Sequence, residues 1–536
     1  MESSYDTIIV GPGSAGCVLA YRLSEDPTHS VLLIEAGPPD SSPWIHMPRG
    51  FGKTLVDPKL MWYLPTEPEP GNGNRSFMWM RGKTLGGSSS INGMIYVRGQ
   101  PSDYDHWEEL GNRGWNWSEM LRCFKAMEHH ELGEDEFRGG SGPLHISIQR
   151  YRTPLTEAFI AAAEQLGVPR REDLNRPDLE GIGYTPRTIW KGRRQSAAEA
   201  FLKPIRRRTN LRIVTDTQIN RIAFEGIRAR SVHGMCGGQA VEYRADREVI
   251  LCAGALHSPK ILQLSGVGPA EHLRSLGIAV VRDSPGVGGN LREHKLITIQ
   301  RKLLQPFSYN HALSGLPLYW NALRYFVNRS GILANTYDMN AFIRTRSHLP
   351  HPDVQLTISA HSLDTKADVM RFEPFPGMQI FGYPMLTQSA GELKIRSGDP
   401  EAPLFIKANY LGTDQDRRVT VDMFRFMRRL LNQAPLKKFL ADETLPGPDI
   451  RSDDEIVDTC ARDNSGAHAT GTCKMGQDGL SVVDARLRVH GVEGLRVCDL
   501  SVFPTQVSGN TNAPAMGVAW RAADLMIEDR RRGSRQ

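Results

Sequence analysis

Near its start the chain reads Asp6-Thr-Ile-Ile-Val-Gly-Pro-Gly-Ser-Ala-Gly-Cys-Val-Leu-Ala-Tyr-Arg-Leu23, followed shortly by Val31-Leu-Leu-Ile-Glu35. The β-branched, apolar run is typical of a buried strand, and a G-x-G-x-x-G motif follows it at once. A helix pattern and a second strand pattern come next. Phosphates bind well at such a helix N-terminus, because free N–H groups and the helix dipole meet the negative charge there. The stretch therefore predicts a Rossmann-type dinucleotide-binding unit.

Each glycine of the motif has its own predicted role. Gly11 permits the tight turn, Gly13 lets the backbone approach a pyrophosphate, and Gly16 lets the helix lie close to the strand. Glu35 ends the second strand about 20 residues later, where an acid reaches the ribose hydroxyls of adenosine. Because a 2′-phosphate would be repelled there, we expect a dinucleotide without one.

Size and composition limit the classes of protein to consider. A chain of 536 residues with 40% hydrophobic content predicts at least two domains. The net charge of +5 is spread over 65 basic and 60 acidic residues, which argues against nucleic acid as a partner. The seven cysteines are scattered and never spaced C-x-x-C, so we expect neither a disulfide framework nor a metal site.

The sequence predicts a cytoplasmic protein. It has no apolar run of bilayer-spanning length, and its N-terminus enters the first strand without a secretion signal. Basic charge is concentrated at Arg530-Arg-Arg-Gly-Ser-Arg535. This segment is interpreted as a disordered solubilising tail or as a peripheral contact with an anionic membrane surface.

Several further elements follow from local patterns. Pro38 to Pro70 is predicted to be irregular and to lie over the cofactor. In the glycine- and serine-rich segment Arg81 to Gly99, the backbone is predicted to approach a neighbouring group closely. This segment is not a flexible linker, because its apolar residues would then be exposed to water. Glu248 to Ala255 is predicted to join the first sheet. An antiparallel meander is predicted for Leu211 to Thr215, Gln218 to Phe224 and Val241 to Tyr243. Helices are predicted for residues 155–167, 194–208 and 417–433, and for a segment after Gly254 with Pro259 in its opening turn.

The last eighty residues carry two candidate polar groups. His468 lies in the small-residue loop Ser465 to Gly476, where a ligand can approach the backbone. Asn510 precedes a helix predicted to be capped by Asn512, with Pro514 in its first turn. Taken alone, neither residue defines a site.

Together these motifs resemble those of the glucose–methanol–choline (GMC) family of flavin oxidoreductases over nearly the whole chain. Gly82-Lys-Thr-Leu-Gly-Gly-Ser-Ser-Ser-Ile-Asn92, with Tyr96, Gly99 and Asp105, resembles the first family signature. Gly254-Ala-Leu-His-Ser-Pro-Lys-Ile-Leu-Gln-Leu-Ser-Gly-Val-Gly268 resembles the second.

The resemblance implies an α/β fold with two domains. A discontinuous, Rossmann-type FAD-binding domain would comprise residues 1–150, 210–298 and 456–536. A substrate domain built on an antiparallel sheet with helices would comprise residues 151–209 and 299–455. The cofactor is expected to be FAD, and its predicted binding residues are Gly11, Gly13, Ser14, Gly16, Glu35, Ala36, Trp62, Gly82, Gly87, Asn92, Met94, Ile219, Asp499 and Asn512.

The resemblance also places the flavin ring under His468, with Asn510 beside it. An alcohol gives up a hydride only as its hydroxyl proton leaves, and neutral imidazole is a suitable base for that proton. Asn510 would donate to the same oxygen, and the helix beginning near Asn512 would stabilise the negative charge of reduced flavin.

Three departures from the family pattern are informative. Ile91 stands where some relatives carry a flavin-linking histidine, which predicts noncovalent FAD. Ala467 stands where relatives often carry an aromatic residue, so the pocket is either wider or filled by another part of the chain. In the loop from Asn290 to His294, Glu293 replaces the family's aspartate.

The predicted function is oxidation of a primary alcohol to its aldehyde by an FAD-dependent dehydrogenase or oxidase. If the pocket at Ala467 is wider, the predicted substrates include bulky and aryl alcohols. A single dinucleotide fingerprint argues against NAD as electron acceptor and leaves oxygen or a quinone-like carrier. Two alternatives are a lyase or decarboxylase on the same fold and a flavin-binding protein without turnover. The pair His468 and Asn510 argues against the second alternative.

Overall fold

The structure is a computed structural model that describes residues 4–365 and 371–533. Its strands are β1 (Ser4–Val10), β2 (Val31–Ile34), β3 (Met61–Pro65), β4 (Met78–Gly82), β5 (Glu128–His130), β6 (Leu144–Ile148), β7 (Gly181–Tyr184), β8 (Pro186–Arg187), β9 (Ile189–Trp190), β10 (Arg193–Arg194), β11 (Leu211–Val214), β12 (Thr217–Glu225), β13 (Arg228–Cys236), β14 (Gln239–Leu251), β15 (Val267–Gly268), β16 (Arg282–Asp283), β17 (Ile297–Leu303), β18 (Met339–Ile343), β19 (Val354–Ser359), β20 (Gly377–Pro384), β21 (Glu392–Lys394), β22 (Phe405–Lys407), β23 (Leu440–Leu445) and β24 (Leu495–Val497). Its α-helices are α1 (Ser14–Leu23), α2 (Pro43–His46), α3 (Phe51–Thr54), α4 (Pro101–Glu109), α5 (Trp117–Met127), α6 (Pro154–Gln165), α7 (Gly254–Leu264), α8 (Ala270–Ser275), α9 (Gly315–Asn328), α10 (Asp414–Leu431), α11 (Asp453–Arg462) and α12 (Asn512–Gly533).

The first sheet is parallel at its centre and carries the predicted dinucleotide unit. Its parallel strands lie in the order β11, β2, β1, β14, β24. The prediction that the strand beginning at Glu248 joins this sheet is confirmed, because β14 pairs with β1. The N-terminal half of β14 extends into an antiparallel meander with β13 and β12.

The second sheet is antiparallel, in the order β23, β17, β20, β19, β18, β7. Strands β18 and β19 are buried along their whole length, and β20 nearly so. Helices α6 and α10 contribute to the hydrophobic cluster beneath this sheet. The predicted combination of a Rossmann-type unit with an antiparallel sheet and helices is confirmed.

Two large hydrophobic clusters accompany the two sheets. The first contains the residues of β1, β2, α1 and α12, and the second contains those of β17 to β20 and α10. Six apolar residues between Ala197 and Ile205 belong to the first cluster, although they lie in a segment assigned above to the substrate domain. The domain limits themselves stay a prediction.

Two predictions about strands were wrong. Residues Leu211 to Val214 form the parallel edge of the first sheet beside β2 and are not part of the meander. An edge strand has one half-exposed side, and this produces the same alternating pattern as a meander strand. The segment from Pro38 to Pro70 contains β3, which forms a hairpin with β4.

Predictions about helices were partly right. Those for residues 155–167 and 417–433 are confirmed by α6 and α10. Residues 194–208 form only a π-helical turn at Ala198–Leu202, and Pro204 cannot continue a regular helix.

Pro259 is the sixth residue of α7 and not part of its opening turn. A proline removes the hydrogen bond to the carbonyl four residues earlier, here that of Ala255. This carbonyl accepts a hydrogen bond from the Thr472 hydroxyl at 2.6 Å instead. A contact from the C-terminal segment thus compensates for the break in the helix.

Helix α12 begins at Asn512, which is therefore its first residue and not its cap. Arg530, Arg531 and Arg532 continue this helix, where positive charge is favourable near a helix C-terminus. The predicted tail is therefore helical in this part, and residues 534–536 lie outside the described residues. Within residues 4–365 and 371–533, no helix combines the length and apolar character needed to cross a membrane.

Candidate active site

A cavity of about 780 Å³ runs between the two sheets. It extends from the glycine turn after β1 to His468 and the strands β19 and β20. Its lining includes His468, Asn510 and all but one of the predicted cofactor-binding residues, namely Gly11, Gly13, Ser14, Glu35, Ala36, Trp62, Gly82, Gly87, Asn92, Met94, Ile219, Asp499 and Asn512. The exception, Gly16, packs behind the turn, as its predicted role requires.

The three glycines of the turn differ in what surrounds them. Gly11 has φ +99°, and a Cβ there would lie 2.6 Å from the Cys252 carbonyl oxygen. A Cβ on Gly16 would lie 2.0 Å from the carbonyl oxygen of Gly11. Around Gly13, by contrast, a Cβ would meet nothing closer than 3.9 Å, so this residue faces the open cavity. Gly11 and Gly16 therefore allow the chain to pack, whereas Gly13 leaves space for a ligand.

The N-terminus of α1 is free to bind phosphate. Its first turn has no side-chain cap, so its N–H groups remain available at the cavity wall. The Ser14 hydroxyl donates to Asn512 Oδ1 at 2.6 Å and thereby joins the N-termini of α1 and α12. Two helix N-termini consequently meet at this wall, which favours bound negative charge.

Carboxylates occupy two further positions along the cavity. Glu35 is buried and accepts a hydrogen bond from the Gly37 amide at 2.7 Å, and burial raises its pKa to about 8. Asp499 accepts from the Gly254 amide at 2.8 Å and from the Ser258 hydroxyl at 2.5 Å, which ties it to the start of α7. Burial also raises the pKa of Asp499.

The loop from Gly82 to Asn92 lies against the glycine turn. A Cβ on Gly87 would lie 2.8 Å from Gly13 Cα, so only glycine permits this approach. Behind the loop, Arg194 Nη1 donates to both the side-chain and the main-chain oxygen of Asn92 at 2.7 Å. Met94, with φ +62°, donates its amide to the same side-chain oxygen at 3.1 Å. The loop is therefore fixed by a buried arginine, whose pKa burial lowers to about 9.

His468 is held in one tautomer by its neighbour His294. His294 Nε2 lies 2.7 Å from the Met385 carbonyl oxygen, and because a carbonyl can only accept, this nitrogen carries the hydrogen. In neutral His294 the other nitrogen, Nδ1, is then bare and accepts from His468 Nδ1 at 2.9 Å. His468 Nε2 is left without a hydrogen. Its lone pair lies on the side of Asn510.

Asn510 is oriented by a second chain of hydrogen bonds. Tyr383 donates its hydroxyl to Gln355 Oε1 at 2.6 Å, and Gln355 Nε2 donates to Asn510 Oδ1 at 2.9 Å. The amide nitrogen of Asn510 therefore points at His468 Nε2, 3.2 Å away. The two series of hydrogen bonds thus bring a bare imidazole nitrogen and an amide donor together.

The buried surroundings of His468 keep its ring neutral. Burial, helped by His294 and Arg81, holds the pKa of His468 well below its usual range. Burial lowers the pKa of His294 to about 4. Glu293 accepts the backbone amides of His468 at 2.6 Å and of His294 at 2.9 Å, and burial raises its pKa to about 7. The glutamate that replaces the family's aspartate thus fixes the backbone of both histidines.

Near His468 the cavity is lined by aromatic side chains and by the cationic Arg81, with no carboxylate among them. Tyr383 lies 5.5 Å from the His468 ring, and Phe381 projects from the same face of β20. Tyr337 stands 5.6 Å from Phe381, and Thr357 is paired with Phe381 on β19. The carboxylates that line the cavity are Glu35, Glu401 and Asp499, none of which belongs to these strands. Ala467 also lines the cavity, with φ +60°.

Sequence reasoning missed the residues that position the predicted pair. Glu293 and His294 were visible as part of a loop motif, but nothing in their spacing indicated contact with His468. Gln355 and Tyr383 had no local signal, because polar residues in buried strands gain meaning only once the sheet order is known. Among the described residues, no group of three or more histidine, cysteine or acidic side chains could hold a metal ion.

The fold and the cavity together are those of a protein that binds an adenine dinucleotide along a Rossmann-type unit. Models of the GMC oxidoreductase family match residues 5–296 and 387–519, so the chain belongs to this family. The GMC resemblance seen in the sequence is confirmed, and with it FAD as the cofactor. The uncapped N-terminus of α1 and the close approach of Gly87 to Gly13 fit the phosphates of such a molecule.

Several proteins with a named activity are similar to this chain over nearly its whole length. Mitochondrial choline dehydrogenase of Mus musculus is 41% identical over 98% of this chain and 90% of its own length. Oxygen-dependent choline dehydrogenase of Rhizobium etli is 41% identical over 97% of this chain and 95% of its own length. The crystal structure of pyridoxine 4-oxidase from Mesorbium loti superimposes with a TM-score of 0.89 at 32% identity, covering 98% of this chain and 99% of that one.

Proposed function

We propose that this flavin oxidoreductase oxidises a neutral, bulky or aryl primary alcohol to the aldehyde, with His468 as the base. The observation that carries the proposal is the bare Nε2 of His468 beside the Asn510 amide, in a cavity that Tyr337, Phe381 and Tyr383 also line. The other predicted site residues are proposed to hold FAD as the resemblance implies.

His468 and Asn510 have different roles in the proposed reaction. The alcohol oxygen binds between His468 Nε2 and Asn510 Nδ2, replacing their direct contact. His468 Nε2 takes the hydroxyl proton, and Asn510 holds the oxygen in line, because an amide donates without competing for that proton. FAD, when bound, supplies the acceptor for the hydride that leaves the alcohol carbon.

The walls favour a neutral substrate over a cationic one. A quaternary ammonium group that leaves water needs a counter-charge or an aromatic cage. Near His468 the lining contains Tyr337, Phe381, Tyr383 and the cationic Arg81 but no carboxylate. Choline oxidation, suggested by the relatives' names, is the second candidate. The feature that favours it is the group of three aromatic rings, because such rings can surround a quaternary ammonium group.

A panel of alcohols distinguishes these candidates. We expect kcat/KM for benzyl alcohol to exceed that for choline at equal concentrations, measured with both a dye and dissolved oxygen as electron acceptors. A higher value for choline would overturn the substrate proposal but leave alcohol oxidation intact. If no alcohol reduced the flavin anaerobically, the proposed alcohol oxidation would be overturned. The remaining alternative from the sequence would then be a lyase, which the relatives named above do not support.

The flavin is expected to dissociate on acid precipitation. Ile91 lines the cavity where a histidyl link would require a ring nitrogen, and an alkyl side chain cannot form that bond. The yellow colour should therefore pass into the supernatant, as measured by absorbance after the pellet is washed. Colour that stays in the pellet would contradict noncovalent binding.

Ala467→Trp is expected to raise KM for bulky alcohols more than for butanol. Ala467 lines the cavity, so a larger side chain there would narrow the substrate end. A hydrophobic wall discriminates by roughly 1–3 kcal/mol, which predicts a graded change in kcat/KM. Ala467→Ser is the matched control with a smaller expected change, because it adds little volume and avoids a β-branched side chain at φ +60°. Equal losses for all alcohols would show that residue 467 does not face the substrate.

A further inference from the structure

Helix α9 turns its apolar side away from the protein. Of its residues, Tyr325 is the buried one, while six large apolar side chains are between 53% and 77% exposed. These six are Leu316, Tyr319, Trp320, Leu323, Phe326 and Val327. Their spacing of three, four and seven residues puts most of them on one face of the helix. We call these residues, together with the exposed Trp44, the α9 patch.

The helix is firmly attached on its other side. The Tyr325 hydroxyl donates to the Gly192 carbonyl at 3.0 Å, and the Phe326 ring packs 6.5 Å from Trp44. Asn321 donates to the carbonyl of Ala312 at 3.0 Å and so fixes the turn that leads into the helix. The apolar face is therefore presented by an anchored element.

The surroundings of the α9 patch are basic. Residues 41–56, 181–198 and 294–337, which include the helix and the segments that contact it, contain no aspartate or glutamate. Lys53, Lys191, Arg324 and Arg329 are exposed in these segments. Within the described part of the chain, the ion pairs recorded involve none of these four side chains.

Charge distinguishes the two candidates that could cover this surface. In a symmetric dimer the same patch would face itself, and four cationic side chains would meet their own copies. An anionic phospholipid surface offers the opposite charge, and aromatic side chains are favoured at the level of its headgroups. A helix with one apolar face and basic flanks suits the plane of such an interface.

We propose that the α9 patch binds this protein to the surface of anionic phospholipid membranes, with α9 lying in the plane of the interface. The cavity opens close to the same surface. Phe51 and Leu55, which follow Trp44 in the chain, line the cavity, and the Tyr63 hydroxyl donates to the Leu55 carbonyl at 2.9 Å. Tyr63 lines the cavity as well and is 38% exposed, so it marks the opening.

Sedimentation of the FAD-loaded enzyme with vesicles tests this proposal. We expect binding to phosphatidylcholine vesicles that contain phosphatidylglycerol, and a loss of about tenfold or more in the double variant Trp320→Glu, Leu323→Glu. Leu480→Glu is the matched control, because Leu480 is 57% exposed but lies outside the patch. Arg324→Glu should weaken binding to the anionic vesicles and not to pure phosphatidylcholine. All variants should keep the parental rate with a water-soluble alcohol and dye.

A site-specific signal completes the test. Brominated phospholipids should quench part of the tryptophan fluorescence, and Trp320→Phe should remove most of that part. Vesicle binding by the double variant at the parental level would overturn the proposal. It would also be overturned if the parent did not bind vesicles but formed a dimer, and the double variant were monomeric. A second copy of the chain would then cover the α9 patch.

Discussion

His468→Ala is expected to lower kcat/KM by about 10²–10⁴-fold while FAD remains bound. The variant loses the bare Nε2 that faces the substrate end of the cavity, but no predicted contact of the ADP half changes. Anaerobic stopped-flow measurement of flavin reduction by a saturating alcohol isolates the affected step. The absorbance of the purified variant reports its FAD content.

Asn510→Ala serves as the comparison for this variant and should cost less, because it removes a donor and leaves the base. If His468→Ala reduced its flavin at nearly the parental rate, another group would have to take the proton. Gln355→Ala should resemble Asn510→Ala, since Gln355 acts by orienting Asn510.

Gly13→Ala is expected to give a folded protein that binds FAD roughly 5- to 150-fold more weakly. A methyl group there meets no protein atom closer than 3.9 Å but projects into the proposed phosphate site, and overpacking of this kind costs about 1–3 kcal/mol. Titration of the apoprotein with FAD, followed by the quenching of flavin fluorescence, measures the change.

Two other glycines provide controls for that experiment. Gly479→Ala should have no effect, because a Cβ there meets nothing within 4 Å. Gly11→Ala should impair folding itself, since its Cβ would lie 2.6 Å from the Cys252 carbonyl oxygen. Parental FAD affinity in Gly13→Ala would contradict the assignment of this residue to the phosphate approach.

The parts of the fold that depend on short-range chemistry could be predicted from the sequence. The turn at Gly11 was predictable because glycine readily adopts a positive φ. The strand, the helix and the acid around it follow from periodicity and spacing over thirty residues. The helix at α10 was predictable for the same reason, because its apolar residues recur along a single face.

The rest depended on contacts between distant segments. The tautomer of His468 is set by His294, more than 170 residues away in the chain, and ultimately by the Met385 carbonyl. The edge strand that begins at Leu211 was assigned to the wrong part of the sheet. The alternation of apolar and polar residues shows that the strand has one exposed face but does not show which strand it pairs with. Residues 194–208 look helical by composition, yet Arg194 is drawn inward to hold the loop at Asn92.

The hydrogen bond from His294 to Met385 has a consequence for the fate of the proton. Once His468 is protonated, its Nδ1–H still points at His294, whose low pKa makes it a poor acceptor and whose far nitrogen ends on a backbone carbonyl. A carbonyl cannot pass a proton onward, so the relay is closed on that side. The proton can leave His468 only on the side from which the alcohol entered. Deprotonation of His468 is therefore coupled to the departure of the aldehyde and the return of water to the cavity.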